Sequence, residues 1–125
     1  MTLDFQVTSL EISKRLKELG VEQKSLFWWL ESVLEMNKGH AELWYGGSPF
    51  PKIGHWSVIS ALTVAELGEM LPAGMWYEKT MEDKRWRCGF IKDLAQPIKT
   101  GWQFGDTEAD ARGKMLIYLL ENKII

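Results

Sequence analysis

Three stretches of the chain repeat apolar residues at helical spacing directly behind a residue that can cap a helix. The predicted helices cover Ser9–Leu19, Val64–Met70 and Glu108–Asn122. Thr8 and Thr63 each stand three residues before a glutamate, which is the spacing of a capping box. Asp106 or Thr107 can cap the last helix, whose acidic first turn suits the positive end of the helix dipole. The pattern therefore predicts three helices separated by long non-helical segments.

Two glycines add detail to these helices. Gly20 follows the first helix, where a left-handed residue commonly ends a helix, and Val21 can supply the apolar contact that accompanies such an end. Gly113 lies in the middle of the last helix, where glycine costs up to ~1 kcal/mol relative to alanine. We therefore expect another backbone to come close to the helix at Gly113.

Between the helices the apolar period shortens toward two, which is the period of a strand. The predicted strands are Ser25–Glu31, Ala41–Tyr45, Met75–Thr80, Arg85–Ile91 and a short Gly101–Phe104. The first two form a hairpin through the turn residues Asn37-Lys38-Gly39, and the next two through residues 81–84. Residues 32–36 fit either an extension of the first strand or a short helix. The segment 46–54 is rich in glycine and proline and is predicted to be a loop.

The clearest strand alternation predicts which residues face the core. Trp86, Cys88 and Phe90 alternate with arginine and glycine, so these three are expected to point inward. Antiparallel hairpins with helices packed over them define an α+β fold. We predict a single domain over residues 1–125 with the order α-β-β-α-β-β-(β)-α. Its antiparallel sheet of four to five strands, made from two hairpins, packs with three helices.

Composition and charge narrow the class of protein. Hydrophobic residues make up 46% of the chain and charged residues 26%, as in an ordinary globular domain. The formal net charge of −2 gives no electrostatic footprint for duplex nucleic acid or an anionic membrane. The lone Cys88 favours a reducing compartment, and no signal peptide or membrane-length apolar run is recognisable. We therefore expect a cytoplasmic protein without a membrane partner.

The motifs of common enzymes and metal sites are not found in the sequence. Neither phosphate-binding glycine motif occurs, and His40, His55 and Cys88 do not have the spacing of metal ligands. Cys88 on a predicted core face is expected to be an inert apolar residue, although a Cys88–His55 dyad or a carboxylate pair would be the enzymatic alternative. We predict no catalytic residue, no cofactor and no metal, and hence that the protein is not an enzyme.

Tryptophan is the unusual component, with seven residues along the middle of the chain. Trp28, Trp76 and Trp86 are expected to fill the core. A second group adjoins or lies within the glycine- and proline-rich loop and forms the candidate interaction surface. It comprises Trp44, Tyr45, Phe50 and Trp56. Exposed aromatic residues anchor protein interfaces, so this surface predicts a protein partner or a homodimer.

A small basic cluster suggests a different partner. Lys84, Arg85 and Arg87 form a candidate basic patch on the outer side of their predicted strand. With Trp102 or Tyr77 beside it, this patch could bind single-stranded nucleic acid, or an acidic surface of a protein. The net charge gives this alternative no support.

Three segments together resemble a known class of proteins. They are "EISKRLKELGVEQKSLFWW", "ISALTVAELGEMLP" and "DTEADARGKMLIYLLENKII". The chain is similar to small uncharacterised phage and prophage proteins with an α/β sandwich domain. In these proteins a short helix, an aromatic hairpin, a capped helix, a second hairpin and a "D-T-x-x-x-A" helix follow in that order. The resemblance implies a bacterial or phage cytoplasmic setting, and it assigns no activity or catalytic residue.

A second resemblance is to the HicB-type antitoxin domain. In that family a "G-D-T-x-x-x-A" stretch joins a strand to a helix, and Gly105, Asp106, Thr107 and Ala111 match it here. The family implies a partner toxin and often an added DNA-binding segment, which is not recognisable in this sequence. The expectation that follows from all these features is an accessory protein acting by protein–protein interaction, with single-stranded nucleic-acid binding and a HicB-like role as alternatives.

Overall fold

The computed structural model describes residues 6–34, 40–45, 56–82, 84–90 and 101–125. Its helices are α1 (Leu10–Glu18), α2 (Val64–Met70) and α3 (Glu108–Glu121). Its strands are β1 (Phe27–Ser32), β2 (Ala41–Tyr45), β3 (Trp56–Ala61), β4 (Met75–Lys79), β5 (Trp86–Phe90) and β6 (Gln103–Gly105). The α+β class and three helices are confirmed. The predicted turn at 37–39, the loop at 46–54, and Phe50 and His55 lie outside the described residues.

The strands form two antiparallel three-stranded sheets rather than one sheet of four to five strands. The first sheet has the order β2-β1-β3 and the second has the order β4-β5-β6. The predicted hairpins exist. The strand β3 was not predicted, and it pairs with the side of β1 through which the first hairpin could have joined the second in one sheet. The second hairpin gains β6 on its own free side. Each hairpin is therefore completed by a third strand, which replaces pairing between the hairpins.

Local capping signals identified two of the three helix starts correctly. The hydroxyl of Thr63 accepts from the Glu66 amide at 3.1 Å, and the Glu66 carboxylate accepts from the Thr63 amide at 2.9 Å. Thr107, not Asp106, caps α3. The capping box predicted for α1 at Thr8 is wrong. Its N-cap is Ser9, and the Thr8 hydroxyl instead lies 2.7 Å from that of Ser13, inside the protein.

The end of α1 follows the sequence signal. Gly20 has φ of +92°, and its amide donates to the Lys17 carbonyl at 3.0 Å. The Val21 amide donates to the Leu16 carbonyl at 3.1 Å, and the Val21 side chain packs against the main core. These two bonds make a Schellman motif, as predicted for this position.

The main core lies where all three helices meet the second sheet. Leu16 of α1, Leu67 of α2, Leu119 of α3 and Cys88 of β5 are buried together there. Trp86 is half-buried against the same cluster, so the predicted inward face of β5 is confirmed for Trp86 and Cys88. The side chain of Phe90 lies outside the described part of the chain. The second sheet is therefore covered on one side by α3.

The first sheet packs against α1 on one of its two faces. Val7, Phe27 and Ala61 form a separate buried cluster on this face, with Trp29 and Leu43 packed beside them. The Lys14 ammonium of α1 donates to the Glu31 carboxylate of β1 at 2.7 Å. We call this side the α1 face of the sheet. Because α1 contacts both α3 and β3, it joins the first sheet to the main core.

Candidate functional site

The predicted interaction residues are divided between the two edge strands of the first sheet. Trp44 and Tyr45 end β2, where they are 41% and 69% exposed, and the half-buried Trp56 begins β3. Phe50 lies outside the described residues. Trp44 is the cross-strand partner of Trp28, and Trp56 is the partner of Ser32. Since opposite residues share a face, both tryptophans lie on the side away from α1.

We call this side the tryptophan face. Trp28, Leu30 and Val58 form a buried cluster on it, with Trp56 packed alongside. The His40 ring centre lies 6.2 Å from that of Trp56. Tyr45 points to the opposite, α1 face, where its ring centre is 5.0 Å from that of Phe27. The sheet thus has aromatic residues on both faces, and β2 presents one exposed aromatic residue to each.

The outer edge of β3 is closed by two side chains. Lys17 Nζ donates to the Val58 carbonyl at 2.9 Å, and the Ser60 amide donates to Gln23 Oε1 at 2.8 Å. Val58 and Ser60 are two residues apart, so their backbone groups point to the same side of the strand, away from β1. Side chains occupying these groups prevent another strand from pairing there.

With respect to the residues that the structure describes, the outer edge of β2 is open by the same test. The Ser32 amide donates to the His40 carbonyl at 2.9 Å, so the backbone groups of His40, Glu42 and Trp44 face β1. Those of Ala41, Leu43 and Tyr45 must then face outward. Within the described ranges, no hydrogen bond reaches these outward groups. As far as the described part of the chain goes, the two edges of this sheet therefore differ, with β3 blocked and β2 unpaired.

The composition of β2 gives little protection against strand pairing. Natural edge strands are usually guarded by charges, proline or a bulge. The strand Ala41–Tyr45 contains one charged residue, Glu42, whose carboxylate lies 3.3 Å from the His40 ring. By contrast β4, an edge strand of the second sheet, carries both Glu78 and Lys79. We therefore take the outer edge of β2, with its exposed aromatic side chains, as the candidate site.

The candidate basic patch lies on the second sheet, on the side away from α3. The Arg87 guanidinium is 4.6 Å from the Trp102 ring centre, and that of Arg85 is 4.8 Å from the Phe104 ring centre. Arg87 also forms an ion pair with Glu78, which neutralises its charge. Lys84 is exposed in the preceding turn. The arrangement brings cations and aromatic rings together without a large positive excess.

Two aromatic residues of the second sheet lie on faces that the sequence did not indicate. Trp76 was expected in the core but is 40% exposed, because it is paired with Gly89 on the outer side of the sheet. Tyr77 lies on the inner side, opposite Cys88, and the Arg112 guanidinium is 3.7 Å from its ring centre. It is therefore not beside the basic patch. The sequence of β4 alone does not show which of the two faces of this strand packs against α3.

Cys88 has the environment of a structural thiol. It is fully buried on β5, and burial raises its thiol pKa to about 12, with Glu108 acting in the same direction and Arg112 opposing it. We expect a thiol reagent at pH 8 to modify the folded protein at least about a thousandfold more slowly than the urea-unfolded chain, since only the thiolate reacts. A colorimetric thiol assay measures both rates. Comparable rates in the two states would restore Cys88 as a candidate nucleophile.

The remaining chemistry of the described residues is limited. They contain no group of three or more His, Cys, Asp or Glu side chains placed to hold a metal ion. None of their helices is long and apolar enough to cross a membrane. What the candidate site offers is backbone donors and acceptors flanked by aromatic rings, which suits the binding of an extended chain.

No family model matches this protein, and no curated protein or solved structure matches it.

Proposed function

We propose that this protein is a non-enzymatic accessory protein of the phage or prophage type, which acts by binding a protein partner. The partner adds a strand to the outer edge of β2. The observation that carries the proposal is the contrast between the two edges of the first sheet. Lys17 and Gln23 block β3, whereas Ala41, Leu43 and Tyr45 leave their outward groups open within the described residues. The phage setting is supported by the resemblance of the sequence alone.

The chemistry of β2 describes the segment that would bind. In strand addition, backbone hydrogen bonds supply affinity and alternate side chains supply specificity. A new strand beside β2 would lay its side chains alternately against Trp44 on the tryptophan face and against Leu43 and Tyr45 on the α1 face. Tryptophan and tyrosine are frequent anchors of protein interfaces. The best partner is therefore an extended, largely uncharged segment with apolar side chains on both of its faces.

Peptide display tests this proposal directly. Random ten-residue peptides would be selected on the immobilised protein at nanomolar concentration. The same selection is run on Ala41→Pro, which removes an outward N–H and leaves the bonds to β1 intact. We expect peptides that bind the wild type and lose at least about tenfold in affinity for Ala41→Pro, consistent with the loss of hydrogen bonds worth about 1 kcal/mol each and with steric exclusion by the ring.

A matched variant separates the two edges. Gln23→Ala unblocks part of β3 and leaves β2 unchanged, so the selected peptides should bind it as they bind the wild type. Peptides indifferent to Ala41→Pro would refute strand addition at β2, as would the selection of no peptides by a wild type that is monomeric under the same conditions. If the wild type and Ala41→Pro both retain a single-stranded oligonucleotide at low salt, the result would instead support nucleic acid as the partner, bound at the basic patch of the second sheet. We rank that alternative lower because Glu78 neutralises Arg87.

A further inference from the structure

We infer that the strand added to β2 is the β2 of a second copy of this chain, so that the two first sheets join into one continuous antiparallel sheet. This inference rests on the proposed function, because it names the partner of the same edge. The outward residues Ala41, Leu43 and Tyr45 are symmetric about Leu43. A two-fold axis at Leu43 therefore uses all of them, and each would supply one donor and one acceptor to the opposite strand.

The side chains of β2 complement one another in this register. Glu42 would lie opposite the second copy's Trp44, so the one carboxylate of the strand meets an aromatic ring and not another carboxylate. Tyr45 would lie opposite the second copy's Ala41, and this pairs the largest exposed ring with the smallest side chain. Leu43 would meet itself on the α1 face. Each face of the joined sheet thus receives a compatible pair at every position.

Neighbouring registers are worse on physical grounds. An axis at Glu42 would place two carboxylates directly opposite each other, which destabilises a strand pair. An axis at Trp44 would leave the outward groups of Ala41 beyond the end of the other β2. Register is therefore specified by the sequence of the strand itself, with Leu43 at the centre.

The apolar residues of the first sheet favour this partner over an unrelated segment. On the α1 face, the cluster around Phe27 continues through Leu43 toward the open edge, and Tyr45 extends it into solvent. Joining two copies would cover both exposed tyrosines and continue the cluster from one sheet into the other. The interface is isologous, which closes the assembly at two copies because the outer edge of β3 is blocked.

Light scattering after size exclusion tests the inference with the full chain. We expect the wild type to elute at twice the chain mass of 14.4 kDa at micromolar concentration, and Ala41→Pro to elute at the single-chain mass. Circular dichroism establishes that the variant is folded. Gln23→Ala, on the blocked edge, should remain a dimer. A wild type that stays a monomer at millimolar concentration overturns the inference.

Cysteine cross-linking tests the register and does not depend on the proline variant. Residues opposite each other in a hydrogen-bonded pair, as Leu43 and its copy would be, have Cα atoms about 5.5 Å apart, within the range that a disulfide spans. Under a mild two-electron oxidant such as diamide, Leu43→Cys should cross-link at least about tenfold faster than Glu42→Cys or Trp44→Cys. Cross-linking that peaks at position 42 or 44 contradicts the Leu43 axis.

The two proposals fail differently. A monomeric wild type that still binds peptides in an Ala41-dependent way overturns only the second copy as partner. A dimer unaffected by Ala41→Pro, together with peptides equally unaffected, overturns strand addition at β2 as well.

Discussion

Leu119→Ala is expected to lower the free energy of unfolding by about 3–5 kcal/mol, at the upper end of the range for buried leucines. Leu119 is fully buried on α3, in the cluster where α1 and α2 meet the second sheet. Its removal leaves a cavity between elements that support one another, so the site cannot easily collapse. A domain of this size is stable by only about 5–15 kcal/mol, so the loss is a large fraction. Urea unfolding, followed by tryptophan fluorescence, measures the change as a lower midpoint with an unchanged slope.

Leu26→Ala provides the matched control for this prediction. It removes the same atoms from a leucine that is 57% exposed just before β1. Surface substitutions of this kind usually change stability by less than about 0.5 kcal/mol. Similar costs at the two positions would show that the main core does not lie between α3 and its neighbours.

The parts of the fold that the sequence predicted are those determined by nearby residues. Thr63 and Glu66 make a capping box within one turn, so the start of α2 needed no knowledge of the tertiary structure. Gly20 ended α1 for the same reason. The start of α1 shows the limit. Thr8 has the spacing of a capping residue, yet its hydroxyl is used by Ser13 and by the Leu62 amide, 54 residues away. A distant partner outweighed the local signal.

The candidate site depends on contacts that cross the sequence. The exposure of Trp44 and Tyr45 agreed with their place beside a predicted loop. The state of the sheet edges could not be predicted in this way, because Lys17 lies 41 residues from Val58 and Gln23 lies 37 residues from Ser60. Only when the chain has folded do these side chains close one edge of the first sheet. Packing between segments that are distant in sequence likewise determines that Trp76 lies on the outer face of the second sheet.

Gly113→Ala should destabilise the protein by about 1–3 kcal/mol, although alanine is the better helix former by up to ~1 kcal/mol. The sequence predicted that a backbone would approach this glycine, and that detail is wrong. The close neighbours are side chains of α1 and of the segment before it. A Cβ at Gly113 would lie 2.6 Å from Ile12 Cγ2 and 3.0 Å from Thr8 Cγ2. Both neighbours are β-branched and rotate poorly, so α1 itself must shift away from α3.

Gly68→Ala makes the same chemical change where the neighbour can yield. Gly68 lies inside α2, and the atom that its new Cβ would meet is Arg112 Nη1 at 3.0 Å, the far end of a long side chain. There the gain in helix propensity should dominate, leaving stability unchanged or raised by up to ~1 kcal/mol. Urea unfolding of both variants against the wild type decides the matter, because only Gly113→Ala is expected to lower the free energy of unfolding. If Gly113→Ala were as stable as Gly68→Ala, the space between α1 and α3 at position 113 would be large enough for a methyl group. The tight junction that ties the first sheet to the main core would then have to be placed elsewhere.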